Sequence, residues 1–286
     1  MDSPQKDPLP ALGEVIKTHG LRAKKSFGQN FLLDLNLTRK IARSIPDIET
    51  STIYEVGPGP GGLTRALLME GAPKVFAVEK DPRCVDILNE ISKAYDNKLS
   101  FINEDAIHID EKLAIDDPNK KIQIAANLPY NIGTILLVKW LTASTWPPFY
   151  GSLTLMFQKE VAQRIVASPW SKAYGRLSIL ANWRANTKIL FDLPPRAFTP
   201  APKVTSSVIQ ITPNAPIIDG LDGKVLERVV KQAFGQRRKM LRSSLKGFVP
   251  NLNEIFKKVD ILETQRAEEI SIEKFCNLAK AIQELS

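Results

Sequence analysis

Between residues 52 and 158 the sequence alternates strand-like and helix-like segments, and this alternation limits the fold more than any other feature. TIYEVG (52–57), KVFAVE (74–79), LSFIN (99–103), IQIAA (122–126) and SLTLMFQ (152–158) are short apolar runs that read as strands. LTRALLME (63–70), PRCVDILNEISKAY (82–95) and TILLVKWL (134–141) read as helices, the second with proline near its start. Upstream, NLTRKIARSI (36–45) sets Leu37, Ile41 and Ile45 four residues apart, the spacing of an amphipathic helix. Such alternation predicts an α/β fold, a mostly parallel sheet with helices on both faces. KILFDL (188–193) and VTSSVIQI (204–211) add two late strands without a clear helix between them, an antiparallel pairing at an edge. The stretch that follows is rich in Pro, Gly and Asp and reads as a linker, after which only helical patterns remain. The expected organisation is a flexible tail at 1–10, an α/β domain at 11–212, a linker at 213–223 and a small all-α C-terminal domain at 224–286.

Composition mainly excludes. No apolar run approaches the roughly 18 residues that a membrane span needs. The N-terminal MDSPQKDPLP has no apolar core of a signal peptide, and its Asp2 and Asp7 do not suit a transit peptide, so cytoplasm is the expected location. The two cysteines, Cys84 and Cys276, and the two histidines, His19 and His108, are isolated, which indicates neither a disulfide framework nor a metal site. The net charge of +8 and pI near 9.4 suit a polyanionic partner without specifying one.

The glycine loop YEVGPGPGGLT (54–64) ends a predicted strand and opens a predicted helix. Gly57 suits a tight turn, and Gly59 lets the backbone approach a ligand. Gly57-x-Gly59-x-x-Gly62 formally matches a dinucleotide fingerprint, but a plain structural turn would use the same residues. Glu55 two residues before Gly57, two prolines within the loop and the odd neighbour NLPY (127–130) argue against a nicotinamide cofactor. Glu79 ends the second strand, where an acid would hold both ribose hydroxyls of a nucleoside. Asp105, after the third strand, could accept from an adenine amine. Each acid alone could be a solvated strand end. All lie at carboxyl ends of predicted parallel strands, where open α/β sheets bind ligands.

EVGPGPGGLT, VEKD, NEDA and NLPYNI together resemble S-adenosylmethionine-dependent methyltransferases that modify exocyclic amines of nucleic acids. KKSFGQNFL (24–32), AFTPAPKVTSSV (197–208) and AFGQRRKMLRSSL (233–245) narrow the resemblance to the bacterial ribosomal RNA adenine dimethyltransferases of the KsgA/RsmA type. The resemblance runs from about residue 11 to the C-terminus. It implies a Rossmann-like class I methyltransferase sheet and S-adenosyl-L-methionine as cofactor. It also implies dimethylation of two adjacent adenosines near the 3′ end of small-subunit ribosomal RNA, within an assembling 30S particle, by a monomer. The related macrolide-resistance enzymes of large-subunit RNA share the catalytic core, and a non-catalytic RNA-binding factor could keep the fold; an intact NLPY argues against the latter.

The chemistry of NLPY can be argued from its residues. The Asn127 side-chain oxygen and the Leu128 carbonyl can each accept one hydrogen of an adenine amine, which aims the nitrogen lone pair. Pro129 fixes the backbone that presents the Leu128 carbonyl. Tyr130 offers a stacking face for a flipped base. The resemblance adds Phe198 as a second aromatic closing on the base. It adds Gln29, Asn30 and Leu32 as a segment covering the cofactor, next to Gly57, Gly59, Glu79, Asp105 and Asn127.

No acid lies between Glu227 and Glu254, whereas Arg228, Lys231, Arg237, Arg238, Lys239, Arg242 and Lys246 do. Read as one helix, 234–248 would bury Phe234, Leu241, Leu245 and Phe248 and set Arg238, Lys239, Arg242 and Lys246 on an adjacent face. These four are the candidate RNA-binding residues; the bland alternative is a solvated helix face.

Overall fold

The short apolar runs of the sequence do form strands. The computed structural model describes residues 6–24, 28–111, 115, 121–236 and 238–285, with the backbone alone of Tyr130 and Asn131. Among them the strands are β1 (Phe31–Leu32), β2 (Thr52–Val56), β3 (Lys74–Glu79), β4 (Leu99–Asn103), β5 (Ile122–Ala126), β6 (Ser152–Gln158), β7 (Ala185–Leu193), β8 (Phe198–Thr199) and β9 (Ser206–Pro213). The α-helices are α1 (Leu12–Thr18), α2 (Leu35–Ala42), α3 (Gly62–Met69), α4 (Val85–Ala94), α5 (Tyr130–Leu141), α6 (Lys159–Ile165) and α7 (Arg176–Asn182). They continue with α8 (Gly223–Phe234), α9 (Leu241–Ser244), α10 (Leu252–Lys258) and α11 (Ile272–Gln283).

Seven strands form one sheet in the order β4-β3-β2-β5-β6-β9-β7. The pairs β2–β3, β3–β4, β2–β5 and β5–β6 are parallel, as the alternation predicts. The two late strands stand side by side at one edge. β2 and β5 are buried at every position, which is why their sequences are continuously apolar rather than alternating. β1 and β8 form a separate antiparallel ladder. α1, α6 and α7 were not expected; at 7 residues each they are too short to show a clear helical period.

Two compact units emerge, and a single cut at 213–223 does not separate them. One comprises Met1–Leu136, Phe149–Lys159 and Leu190–Gln210; the other comprises Leu137–Pro148, Glu160–Ile189 and Ile211–Ser286. The reason is apolar packing: Tyr174, Ile179, Leu180 and Trp183 join the cluster of Leu226, Val229, Val230, Phe275 and Leu278. In the helical unit, side chains cap two helix starts: Asp222 accepts from the Lys224 N–H before α8, and Ser271 accepts from the Lys274 N–H before α11.

Two expectations need correction. The expected flexible tail, 1–10, is anchored over its described part. Arg65 is buried to 1% exposure on α3, and a buried guanidinium requires partners. Asp7 supplies the counter-charge and accepts from Arg65 Nε at 2.9 Å, while the Pro10 carbonyl accepts from Arg65 Nη2 at 2.7 Å. The Tyr95 hydroxyl donates to the same Asp7 carboxylate at 2.9 Å. Residues 1–5 lie outside the described residues. The single helix expected over 234–248 is also not formed: α8 ends at Phe234, and only the short α9 follows. Instead Met240 bridges antiparallel to Arg266, and the Leu241 N–H donates to the Gln265 carbonyl at 2.8 Å. The expected apolar residues still turn inward, with Leu241 and Leu245 at 0% exposure, so burial rather than helical continuity explains the pattern. Arg237 lies outside the described residues.

Candidate active site

Strand register assembles the site. Val56 is level with Val78 on one side and with Ala126 on the other, and Glu79 is level with Asn103. The residues that follow these positions therefore emerge along one edge of the sheet: Gly57, Glu79 with Lys80, Asp105 and Asn127. From β2 the chain proceeds outward through β3 and β4, then returns to β5 on the opposite side of β2. The crevice at such a reversal is where open α/β sheets hold ligands.

The glycine loop is shaped by close approach. Gly59 has φ +54°, and a Cβ there would sit 3.4 Å from the Phe31 ring. A Cβ on Gly62 would sit 2.6 Å from the Leu32 carbonyl oxygen, so only glycine lets the segment before α2 lie across the loop. Gln29, Asn30 and Leu32 line a cavity of about 360 Å³ together with Gly57 and Gly59. The Gln29 amide is engaged: Nε2 donates to Asp81 at 2.8 Å, and Oε1 accepts from the Lys24 N–H at 3.0 Å.

Glu79 and Asp105 line the same cavity. Glu79 is 6% exposed, and each carboxylate oxygen meets a backbone donor, Gly59 N–H at 2.8 Å and Asp81 N–H at 2.7 Å. Burial raises its pKa, and the two N–H groups oppose that rise. Each oxygen keeps a second lone pair for a hydroxyl donor. The Asp105 carboxylate is held by Lys80 Nζ at 2.7 Å and the Ile107 N–H at 3.0 Å, and the Lys80 bond is the main reason its pKa is lowered. Beneath the loop, Glu55 is 1% exposed and accepts from the Thr64 hydroxyl at 2.6 Å. Burial pushes its pKa up to about 8; the Thr64 bond opposes this, and the charge of Glu79 reinforces it. Among the described residues, the charged ones of the cavity wall are Glu79, Glu104 and Asp105 against Lys80, an acidic lining in a protein of net charge +8. That lining suits a cation.

The first three residues of NLPY reach the same cavity. Asn127, Leu128 and Pro129 line it, as do Phe198 and the half-exposed Ile135 of α5. Asn127 Nδ2 donates to the Asn30 carbonyl over a long 3.5 Å, which orients the amide and leaves Oδ1 as the acceptor. The Pro129 carbonyl accepts the Ile132 and Gly133 N–H groups at 3.0 and 3.1 Å, so α5 starts at the last residue of the motif. Among the described residues no donor meets the Leu128 carbonyl. Phe198 is 4% exposed and sits opposite Leu32 in the β1–β8 ladder, so one aromatic wall and the covering segment share a support. The Tyr130 side chain, expected to stack on the base, lies outside the described residues.

Three residues around the site were not singled out from the sequence. Asp81 is 1% exposed and joins Gln29 to Arg83. Phe31 faces the Gly59 position, and Lys80 holds Asp105. Lys80 and Asp81 stand inside VEKD and follow a strand that ends in an acid, which is the signal that could have marked them.

The basic segment has a different character. Arg238, Lys239, Arg242 and Lys246 are all exposed. Of these, Arg242 meets Glu263 at 3.4 Å, a surface pair that contributes little to stability.

Comparison with known proteins follows the same lines. The family model "Ribosomal RNA adenine dimethylase" matches residues 20–284. A protein of Ruegeria sp. (strain TM1040) named Ribosomal RNA small subunit methyltransferase A is 56% identical over 277 residues, covering 97% of this chain and 98% of that protein. Its namesake in Roseobacter denitrificans is 56% identical over 276 residues, covering 96% and 98%. A dimethyladenosine transferase from Plasmodium falciparum has a similar fold, with TM-score 0.71, 22% identity, and coverage of 88% of this chain and 96% of that one. The 23S rRNA methyltransferase ErmE does too, with TM-score 0.63, 22% identity, and coverage of 89% and 100%.

Proposed function

We infer the activity from a premise that these matches establish: the chain belongs to the ribosomal RNA adenine dimethylase family. It is a methyltransferase of adenine in small-subunit ribosomal RNA. The observation that carries this reading is 56% identity, over nearly the whole length, to proteins named for that subunit. The large-subunit alternative is not favoured: ErmE shares the fold at 22% identity.

S-adenosyl-L-methionine is the proposed methyl donor, and the cavity suits it. Its acidic wall favours a cationic group; of the acids that line it, Glu79 is assigned to the ribose hydroxyls and Asp105 to the adenine end. When bound, it supplies a methyl group on a sulfonium centre already activated for attack. The protein's task is therefore to prepare the acceptor. The lone pair of an adenine 6-amino group is delocalised into the ring. Asn127 Oδ1 and the Leu128 carbonyl each accept one amine hydrogen, which draws the nitrogen towards tetrahedral geometry and aims the lone pair at the methyl. Such acceptors also favour the positive charge that grows on nitrogen during transfer. Pro129 fixes this backbone, and Phe198, with Tyr130, walls the base. No base is needed beforehand, because the product ammonium loses its proton readily.

Four transfers to two adjacent adenosines near the 3′ end, in an assembling 30S particle, complete the proposal. The enzyme is proposed to act as a monomer in the cytoplasm. Arg238, Lys239, Arg242 and Lys246 grip RNA phosphates, contacts that position without reading sequence. The test is labelled-methyl transfer to small subunits lacking this modification, with the labelled nucleotide identified. Dimethyladenosine in small-subunit RNA is expected. Label in large-subunit RNA, or none, would contradict the reading.

A further inference from the structure

Trp170 is 72% exposed and sits at φ +69°. A bulky side chain in the left-handed region is strained, and an indole in water gains nothing by being there. Yet the loop is built to hold it. The Trp170 N–H donates to the Glu268 carbonyl at 3.2 Å. The Ser171 hydroxyl donates to the Ser168 carbonyl at 2.7 Å, and the Tyr174 hydroxyl donates to the Ile270 carbonyl at 2.9 Å. Among the described residues no ring stacks on Trp170 and no cation lies over it.

The segment that anchors Trp170 also anchors the basic segment of the same unit. Glu268 holds the Trp170 N–H, while Arg266 bridges Met240, Gln265 accepts from the Leu241 N–H at 2.8 Å, and Glu263 accepts from the Arg242 N–H at 3.3 Å. Arg266 and Glu268 are two residues apart, a reach of at most about 7 Å. One short run of backbone, 263–268, therefore ties down both the Trp170 loop and the segment that carries Arg238, Lys239 and Arg242; those three cations and Arg266 are exposed. The acids of that run and of the next residue are Glu263, Glu268 and Glu269; Glu263 pairs with Arg242, and Glu269 accepts from the Arg266 N–H at 2.9 Å. A flat aromatic face beside an excess of cations is what an unpaired nucleotide needs, a ring for its base and charge for its phosphates. The core of a protein-protein interface is instead depleted of charge.

We propose that Trp170 is an RNA-binding residue that stacks on an unpaired base while the neighbouring cations hold the flanking phosphates. This rests on the reading of the chain as a ribosomal RNA methyltransferase. The full-length protein and its Trp170→Asn and Trp170→Phe variants are titrated with protein-free small-subunit ribosomal RNA and with small subunits lacking the modification. Asn tolerates positive φ, so the melting temperature should not fall. The Asn variant should lose about fivefold or more in affinity for both probes, and Phe should keep most of it. Affinity within twofold of wild type for both probes would overturn the proposal. A loss confined to intact subunits would overturn it in favour of a ribosomal protein as partner. Methyl transfer by the wild type to the same subunits is measured in parallel. Its absence would sink the activity reading and this inference together, whereas transfer with unchanged Trp170→Asn binding sinks this inference alone.

Discussion

The glycine-loop cavity and the basic segment are opposites in charge, burial and manner of support. The cavity sets buried carboxylates on a parallel sheet, with Glu79 6% exposed and Glu55 1% exposed. Its geometry is fixed by strand register and by the glycine loop, where a Cβ on Gly62 would meet the Leu32 carbonyl oxygen at 2.6 Å. The basic segment carries exposed cations on a chain that is mostly turn, tied down by Met240, Leu241 and Leu245. The difference teaches where precision is needed. A methyl transfer tolerates little misplacement of the acceptor nitrogen, whereas phosphate contacts need charge within reach and tolerate variation.

If this division holds, changes in the cavity should damage chemistry and cofactor binding, and changes in the segment should damage RNA binding alone. The largest effect is expected at Asn127. Asn127→Ala should lower the single-turnover methyl-transfer rate by roughly 10²–10³-fold, the scale for losing one preorganised hydrogen-bonding group. Its affinity for S-adenosylmethionine should stay within a few-fold. Equal losses of rate and cofactor affinity would assign Asn127 to cofactor binding rather than to the acceptor amine. Next is Glu79→Ala, which should weaken S-adenosylmethionine by roughly ten- to hundredfold in isothermal titration, the range for hydrogen bonds to a charged group. Unchanged affinity would remove Glu79 from the site.

The same contrast explains what could be read in the sequence. Strands β2, β3, β5 and β6 were legible because parallel strands buried on both faces read as continuous apolar runs, whereas β4, at the sheet edge and only partly buried, was legible as a short apolar run. Gly57, Glu79, Asp105 and Asn127 were legible because each closely follows or ends such a run. The segment at 234–248 reads wrongly as one helix because Phe234, Leu241, Leu245 and Phe248 keep a helical period although the chain leaves α8 at Phe234 and bridges to Arg266. A bridge to a partner 26 residues away leaves no local pattern. The anchoring of Asp7 was hidden for the same reason: its partner Arg65 lies far along the chain, and its need for a counter-charge appears only once α3 is buried.

Smaller effects sharpen the comparison. Replacing Arg238, Lys239, Arg242 and Lys246 with Gln should weaken binding to small subunits. It should also flatten the log–log salt slope by ~0.7–0.9 for each phosphate no longer neutralised. Arg242 should contribute least, since Glu263 already shares its charge. An unchanged slope in the folded variant would make this face merely solvated. A last effect falls on stability rather than on chemistry or binding, and concerns Glu55. The folded protein keeps its proton up to about pH 8, while the unfolded chain releases it at about 4.3. The folded state therefore binds more protons between these values, and stability falls as pH rises through that window. Across that same window, Glu55→Gln should show a flatter fall of melting temperature; a fall as steep as that of the wild type would mean that Glu55 is ionised when buried.

The most direct test of the division is the concentration dependence of single-turnover methyl transfer, measured with unmodified small subunits and saturating S-adenosylmethionine. The four-Gln variant is expected to reach the wild-type rate once subunits are saturating, whereas Asn127→Ala stays slow at every concentration. A four-Gln variant that remains slow at saturation, or an Asn127→Ala enzyme rescued by more substrate, would contradict the division between chemistry and grip.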